Sequence, residues 1–534
     1  MRLSSRRGLW IAILILAAAI PYLPSLRYGF VYDDALIVDN PNLSSPRHIP
    51  EFFTQSLDKK VGFHNQNVPV FYRPLFLTQL CLTRVLFGPG PFAFHLFSVL
   101  LHPLNTLLLY GLTIEFGLSE TTALFTAMLF AVHPVHVESV VWPSASPEPM
   151  ALAAILVSLI AFRRFSASGK GGMWLALSIV ALLAGLFVKE TAIIVLPVVG
   201  VLAFLDPASA MTHSKRAIVV SFFAVATVLY MILRGSVLHA LTTTITPTSW
   251  ADMCRTWPNV LWFYARHLVL PIQPSVLYDY DIVQHATVAD FWLPLAGVLA
   301  SAIAIGYVAW KHRSPAALVA VFLLVLPVVL VLNFRVFYWG DLVHDRYLYT
   351  PSAGFCLLTA MGIADLGERL GEKVTRPVRW TVAAGLAGML ALVTVVQSQP
   401  WRNNLLLMTN AVKIAPRNIA AQMMLGNELE SDGYFAAAST CYGRALLITP
   451  RWGPVWFSFG RTLLLTNDTP NAIRSLEQAV KLDEQPISLV WLSMALNRAG
   501  QSQRAEALLE RAEAEDATMR VKFTALEQTL PAGK

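Results

Sequence analysis

Charge is scarce in this sequence. Only 14% of its 534 residues are Asp, Glu, Lys or Arg, against about a quarter in a soluble globular chain. A soluble enzyme is excluded as a description of the whole molecule. Cysteine is scarcer still. Cys81, Cys254, Cys356 and Cys441 stand far apart, with no CxxC spacing and no ligand-like cluster of histidines. Neither a disulfide framework nor a zinc site follows from that spacing, and the four thiols read as small buried apolar residues. The net charge of +7 contains no long basic run. Lys and Arg occur in short clusters between apolar stretches, so no nucleic-acid partner is implied.

What is abundant is apolar sequence. Hydrophobic residues make up 55% of the chain and the mean hydropathy is +0.55. Separate apolar stretches of roughly 15 to 22 residues run from Leu9 to about Val396. Each is long enough, or nearly so, to cross a hydrocarbon core about 30 Å thick. An all-α, polytopic membrane protein surrounded by lipid is predicted. The start, RRGLWIAILILAAAIPYL, has the basic and apolar parts of a signal peptide. It reads as a retained first helix, because another membrane segment follows it.

The basic loops orient the chain. Arg2, Arg6 and Arg7 place the N-terminus in the cytoplasm. Crossings are then expected after that first helix at 92–115, 121–139, 150–163, 173–188, 191–205, 217–233, 291–309, 315–332, 350–364 and 380–397. The inner loops carry Arg163, Arg164 and Lys170; Lys215 and Arg216; Lys311, His312 and Arg313; and Arg369, Lys373, Arg376 and Arg379. The segment WPNVLWFYARHLVLPIQP is short, begins and ends near Pro, and holds Arg266 and His267. Both its flanks fall outside, so it is expected to be re-entrant or interfacial. The sum is about eleven spanning helices in a cytoplasmic (inner) membrane, a first external loop over about 26–74, and a C-terminal region outside.

From about Gln399 the composition becomes that of a soluble helical domain, and it repeats. Leu425, Gly426, Ala438, Tyr442, Ala445 and Pro450 are followed 34 residues later by Phe459, Gly460, Ala472, Leu476 and Ala479. A third set, offset by 33, reads Leu492, Gly500, Ala505, Leu509 and Ala512. Small residues at that period are the signature of tetratricopeptide (TPR) helix pairs. Two domains are expected, a membrane domain over 1–398 and a TPR solenoid over 399–534. The repeat units fall at about 419–452, 453–485 and 486–518. Stacked units make a groove suited to a protein partner, unless the tail only packs on the membrane domain.

Polar residues collect at the ends of apolar segments. The clusters are Asp33-Asp34, Tyr72-Arg73, His133-Pro-Val-His136-Val-Glu138, Glu148 between two prolines, Lys189-Glu190, Asp279-Tyr-Asp281, and His344-Asp345-Arg346-Tyr347. All fall on the outer side of a topology drawn from the basic loops alone. Ionisable residues at membrane depth mark function. A carboxylate can take the proton of an acceptor hydroxyl, and cations can receive a leaving phosphate. Sugar transfer from a polyprenyl phosphate needs those parts. Arg346, Lys189 and Arg73 are then candidate phosphate ligands. His133, His136, Glu138, Glu148, Glu190 and Tyr347 are candidate substrate contacts.

FVYDDALIVDN, FYRPL, LFAVHPVHVESV, VKE and RYLYTPSAGF, followed by TPRs, resemble the transmembrane and TPR-containing O-mannosyltransferases. Those belong to the GT-C class of glycosyltransferases. The resemblance implies an inverting transfer of a sugar from a polyprenyl-phosphate donor to an extracytoplasmic protein or glycan hydroxyl. It implies Asp33 or Asp34 as the base and Arg346 facing the donor phosphate. SASPEP departs from that family, which has Gly-Arg before its corresponding glutamate, and three repeats make a shorter array. No cofactor follows from the residues; a divalent metal bridging donor and enzyme would take Asp33 and Asp34 as ligands.

Each residue also has a plainer reading. Aspartates cap helices and turns, Lys189 and Glu190 can neutralise each other, and Arg346 can snorkel or pair with Asp345 or Asp341. Two other functions compete: a membrane-anchored TPR scaffold for envelope assembly, and a transporter of lipid-linked substrate. The transporter would favour mid-membrane charge and an internal repeat.

Overall fold

The computed structural model describes residues 2–34, 40–56, 71–240, 244–338, 340–370 and 372–528, with 2–6 and 366–380 as backbone only. The side chains of Arg2, Arg6, Arg369, Lys373, Arg376 and Arg379 thus lie outside the described residues, as do 35–39 and 57–70 of the first loop. The described residues form helices and turns, with no strand. Contacts divide the chain into Met1–Val276 with Asp281–Asn403, and Leu277–Tyr280 with Asn404–Lys534.

The first unit runs through α1 (Arg2–Ala19), α2 (Pro74–Phe87), α3 (Pro91–Glu115), α4 (Glu120–Val132), α5 (Val137–Val141), α6 (Pro147–Ser168) and α7 (Gly172–Val188). It continues with α8 (Val195–Leu205), α9 (His213–Leu238), α10 (Trp250–Val269), α11 (Leu293–His312), α12 (Pro315–Leu330), α13 (Tyr349–Leu370) and α14 (Glu372–Ser398). Among the described residues six segments are long and apolar enough to cross a membrane: Arg7–Arg27, Pro91–Glu115, Pro143–Ser168, His213–Leu238, Val288–His312 and Thr381–Arg402. Glu120–Val132 with Pro134–Val141, bent by 50°, makes a seventh if it is one span. Leu229, Ile232, Leu299 and Ile303 on these helices are exposed, as expected of a surface covered by lipid. The expected multi-pass helical class is borne out. Three of the expected crossings, α7, Glu190–Leu205 and α12, are shorter apolar helices. The 17 residues of α7 and 16 of α12 rise only about 25 Å.

The awkward segment forms no hairpin. It enters the single helix α10, with Pro258 inside it. Val260, Phe263, Tyr264 and Leu268 are buried while Arg266 is exposed, the two-faced character of an interfacial helix.

Proline sets the breaks that shape the polar ends of this unit. Pro134 ends α4 and opens a 3₁₀ turn, Pro134–His136. Another turn, Pro143–Ala145, follows α5, and Pro147 starts α6. Proline cannot donate within a helix and clashes with the preceding turn. The chain therefore descends in short buried steps over 133–147 instead of continuing one rod.

The second unit holds α15 (Asn404–Ile414), the pairs α16 (Ile419–Ser431) with α17 (Phe435–Ile448), α18 (Gly453–Leu465) with α19 (Thr469–Leu482) and α20 (Pro486–Arg498) with α21 (Ser502–Glu515), and α22 (Met519–Glu527). The repeat has a steric cause. A Cβ added at Gly426 would lie 2.5 Å from the Tyr442 ring, and one at Gly460 2.7 Å from Leu476. In the third pair Ser493 stands at that position and donates to Ala505 O at 2.7 Å. Gly500, read from sequence as part of the contact set, instead closes a turn at φ +77°, as Gly433 does at +82° and Asn467 at +65°. The expected C-terminal TPR solenoid is borne out.

Candidate active site

Asp33 and Asp34 lie in a 3₁₀ turn, Tyr32–Asp34, whose first residue has φ +54°. A tyrosine in the left-handed region is strained, and such strain collects at functional sites. The two acids differ. Asp34 is fully buried. It accepts Val31 N–H at 3.1 Å, Ser144 N–H at 3.0 Å and Ser144 O–H at 2.6 Å. It clamps its turn to the Pro143–Ala145 turn. Burial pushes its pKa up to about 7, against those three donors. Asp33 is only half-buried. Burial pushes it up to about 6, while Arg346 draws it down and Asp341 adds a further rise.

Arg346 stands in the 3₁₀ turn Asp345–Leu348. Its guanidinium pairs with Glu138, and its backbone N–H donates to Glu138 Oε2 at 2.9 Å. The rings of Trp142 and Tyr347 lie 5.2 and 5.1 Å from the guanidinium carbon, so it is held at three points. His344 Nε2 is 3.0 Å from Asp341 Oδ1, and Nδ1 is 3.8 Å from Glu138 Oε1. Burial raises the Asp341 carboxyl, but His344 and Arg346 outweigh it and hold the pKa below the ordinary value.

Tyr347 joins this cluster to a second one. Lys189 Nζ lies 5.0 Å from the Tyr347 ring and pairs with Glu148. Arg73 Nη2 is 3.8 Å from Glu190 Oε1, and Arg73 Nε is a buried donor without a hydrogen-bond partner among the described residues. The structure thus brings Asp33, Asp34, Glu138, Arg346 and Tyr347 together, with Lys189, Glu148, Arg73 and Glu190 beside them.

Other sequence candidates stand elsewhere. His133 and His136 are 2% and 0% exposed. His133 Nε2 lies 2.9 Å from Leu268 O, and His136 Nε2 lies 2.7 Å from Ser352 Oγ. Those partners belong to helix packing, because Pro134 ends α4 and turns both rings inward among neighbouring helices. Asp279 belongs to the second unit, where its carboxylate accepts Arg417 N–H at 3.3 Å. Sequence reasoning passed over Ser144 and Trp142. The signal for both was the run of prolines at 143, 147 and 149, which marks a broken segment lining a site.

Asp33 and Asp34, the ligands a bridging divalent metal would take, are joined by no third ligand side chain among the described residues. Asp34 has both oxygens occupied by hydrogen bonds, and Glu138 is committed to Arg346. Among the described residues no three His, Cys, Asp or Glu side chains converge as ligands.

Residues 73–278 match the family model described as dolichyl-phosphate-mannose-protein mannosyltransferase, and 453–486 match a tetratricopeptide repeat. A protein O-mannosyl-transferase of Caenorhabditis elegans is 25% identical over 82% of this chain and 63% of its own length. Protein O-mannosyl-transferase TMTC3 of Homo sapiens is 24% identical over 87% and 54%, and TMTC1 of Homo sapiens 26% over 88% and 59%. This chain spans between 54% and 63% of the length of these relatives. Among solved structures, the Archaeoglobus fulgidus oligosaccharyltransferase tethered with an acceptor peptide is 12% identical over 73% of this chain and 55% of that one, with a TM-score of 0.43. The resemblance read from the motifs is borne out: over more than four fifths of its length the chain is similar to proteins named protein O-mannosyl-transferases.

Proposed function

We propose that the chain is a membrane glycosyltransferase that moves a hexose, mannose by its likeness to the relatives, from a polyprenyl-phosphate donor to a hydroxyl of an extracytoplasmic protein. Asp33 is the general base. It takes the proton of the acceptor hydroxyl as that oxygen bonds to the anomeric carbon from the face opposite the phosphate. The carbon–oxygen bond to phosphate breaks, its electrons stay on the phosphate, and the configuration inverts. Arg346 receives the leaving phosphate, with Lys189 and Arg73 adding positive potential. No proton donor is needed, because the donor is a phosphate diester and the polyprenyl phosphate monoester that leaves it is a stable anion. Glu138 and Glu148 hold the cations, and Asp34 holds the turn that presents Asp33. The membrane domain, 1–398, sits in the cytoplasmic membrane with its N-terminus inside, and the TPR domain, 399–534, holds the acceptor outside.

The observation that carries this reading is the asymmetry of the acid pair: Asp33 half-buried near Arg346 with its pKa raised to about 6, Asp34 locked by Ser144 and Val31. The test reconstitutes purified protein with polyprenyl-phosphate mannose or glucose and envelope protein extracts, and reads transfer by mass spectrometry. The wild type should transfer one hexose, and Asp33→Asn and Arg346→Ala should not. Full transfer by both variants returns the membrane part to the role of an anchor for a TPR scaffold.

A further inference from the structure

Three separate pieces of broken chain carry the site: the Pro134–Val141 run with Glu138, the start of α6 with Glu148, and the Asp345–Leu348 turn with Arg346. Two residues one turn apart on α3, His102 and Asn105, bond to the start of α6 and to the chain flanking the other two pieces. His102 Nε2 is 3.0 Å from Ala131 O, three residues before Pro134. His102 Nδ1 is 2.8 Å from the hydroxyl of Tyr349, three residues after Arg346. Asn105 Nδ2 is 2.8 Å from the carbonyl of Pro149, next to Glu148, and 3.2 Å from the same Tyr349 hydroxyl. Seven residues earlier on α3, His95 Nε2 lies 3.4 Å from Gly29 O, on the approach to Asp33. His102, Asn105 and Tyr349 are fully buried.

The donor inventory fixes the direction of each bond. Ala131 O only accepts, so His102 Nε2 carries the proton and Nδ1 of the neutral ring accepts from Tyr349 O–H. The Tyr349 oxygen accepts one amide hydrogen of Asn105, and Pro149 O accepts the other. The result is one continuous chain in which every bond supports the next. Two buried threonines on α3 instead bond within their own helix. Thr106 donates to His102 O, and Thr113 donates to Leu109 O.

We propose that His102, Asn105 and Tyr349 are positioning residues: their hydrogen-bond chain keeps Arg346, Glu138 and Glu148 in register. The inference rests on the reading of the site given above. His102 and Asn105 lie outside the quoted motifs, and Tyr349 lies within RYLYTPSAGF. Tyr349→Phe tests it, because it removes the centre of the chain and keeps the ring packing. Expected are a fall in kcat of about tenfold, since small misplacements are costly at a reacting centre, a donor KM within about twofold of the wild type, and faster hydrogen exchange in two segments only, 134–149 and 341–349. Thr113→Val, which removes an equally buried hydroxyl that bonds within α3, should leave both segments and kcat unchanged. Unchanged exchange in the two segments overturns the inference whatever the activity does, and so does loosened exchange with wild-type kcat. Asp33→Asn is measured alongside. Turnover retained there overturns the assignment of the base, whereas turnover lost there but kept in Tyr349→Phe overturns this inference alone.

Discussion

Three ion pairs of the repeat unit and two of the membrane unit are built in opposite ways. In the repeat unit, Arg504–Glu477, Arg511–Glu484 and Arg520–Glu506 keep side-chain exposures between 39% and 57%. In the membrane unit, Lys189–Glu148 is exposed by 6% and 4%, and Arg346–Glu138 by 17% and 2%. The chemistry is the same and the consequence is not. An exposed partner that loses its mate is still solvated by water. A buried partner is left as an uncompensated charge, and even the intact pair often contributes little net stability over an apolar one. Stability alone therefore does not explain the buried pairs. In the function proposed above they hold cations ready for the leaving phosphate, whereas the exposed pairs clothe a solvated surface.

The largest effect should come from the acid pair. Asp33→Asn keeps size and removes the proton acceptor, so turnover should fall by about 10²–10⁴-fold with membrane levels unchanged. Asp34→Asn turns an acceptor of three hydrogen bonds into a group carrying donors of its own. It should lower yield and thermal stability, while the folded fraction keeps most of its turnover. Equal turnover losses in both variants, at equal stability, would remove the distinction between base and clamp.

Next comes Lys189→Met, which strands Glu148. It should destabilise the membrane unit by roughly 3–5 kcal/mol, read by thermal unfolding in detergent. Adding Glu148→Gln should recover most of that loss without restoring activity. A double variant no more stable than the single one would mean that the pair is not energetically coupled.

The pH profile sharpens the comparison more gently. Asp33 has its pKa raised from 3.8 to about 6, and a base must be ionised. With falling pH, kcat/KM should therefore drop about tenfold per unit below pH 6 and level off above 7. An unshifted carboxylate would give a flat profile from pH 5 upward.

These partners also show where sequence reasoning stops. The repeat unit was legible because its rule is local and periodic: Gly426 and Gly460 meet Tyr442 and Leu476 sixteen residues on in each case. Membrane class followed from composition, and the polar ends from their contrast with apolar runs. Which aspartate is which was hidden, because Ser144, the residue that locks Asp34, is 110 positions away. Arg346 was weighed against its neighbours Asp345 and Asp341, and Lys189 against Glu190. The observed mates, Glu138 at a separation of 208 and Glu148 at 41, come from how the prolines break α4 and α6. The span count suffered from a related limit: apolar length is visible in sequence, but the positions where turns shorten a helix are set by packing.

The smallest effect is expected at Arg511. Its guanidinium pairs with Glu484, with side-chain exposures of 55% and 40%, so Arg511→Ala should cost less than about 1 kcal/mol at low salt. That cost should shrink further at 1 M salt, where the screening length is only about 3 Å. Lys189→Met should respond little to salt, because its partner is shielded from the ions. Unfolding both variants at two salt concentrations therefore tests the contrast directly. If Lys189→Met and Arg511→Ala lost similar stability and shared the same salt response, the membrane pair would be a surface pair in energetic terms. Lys189 would then not be held against an incoming phosphate by burial.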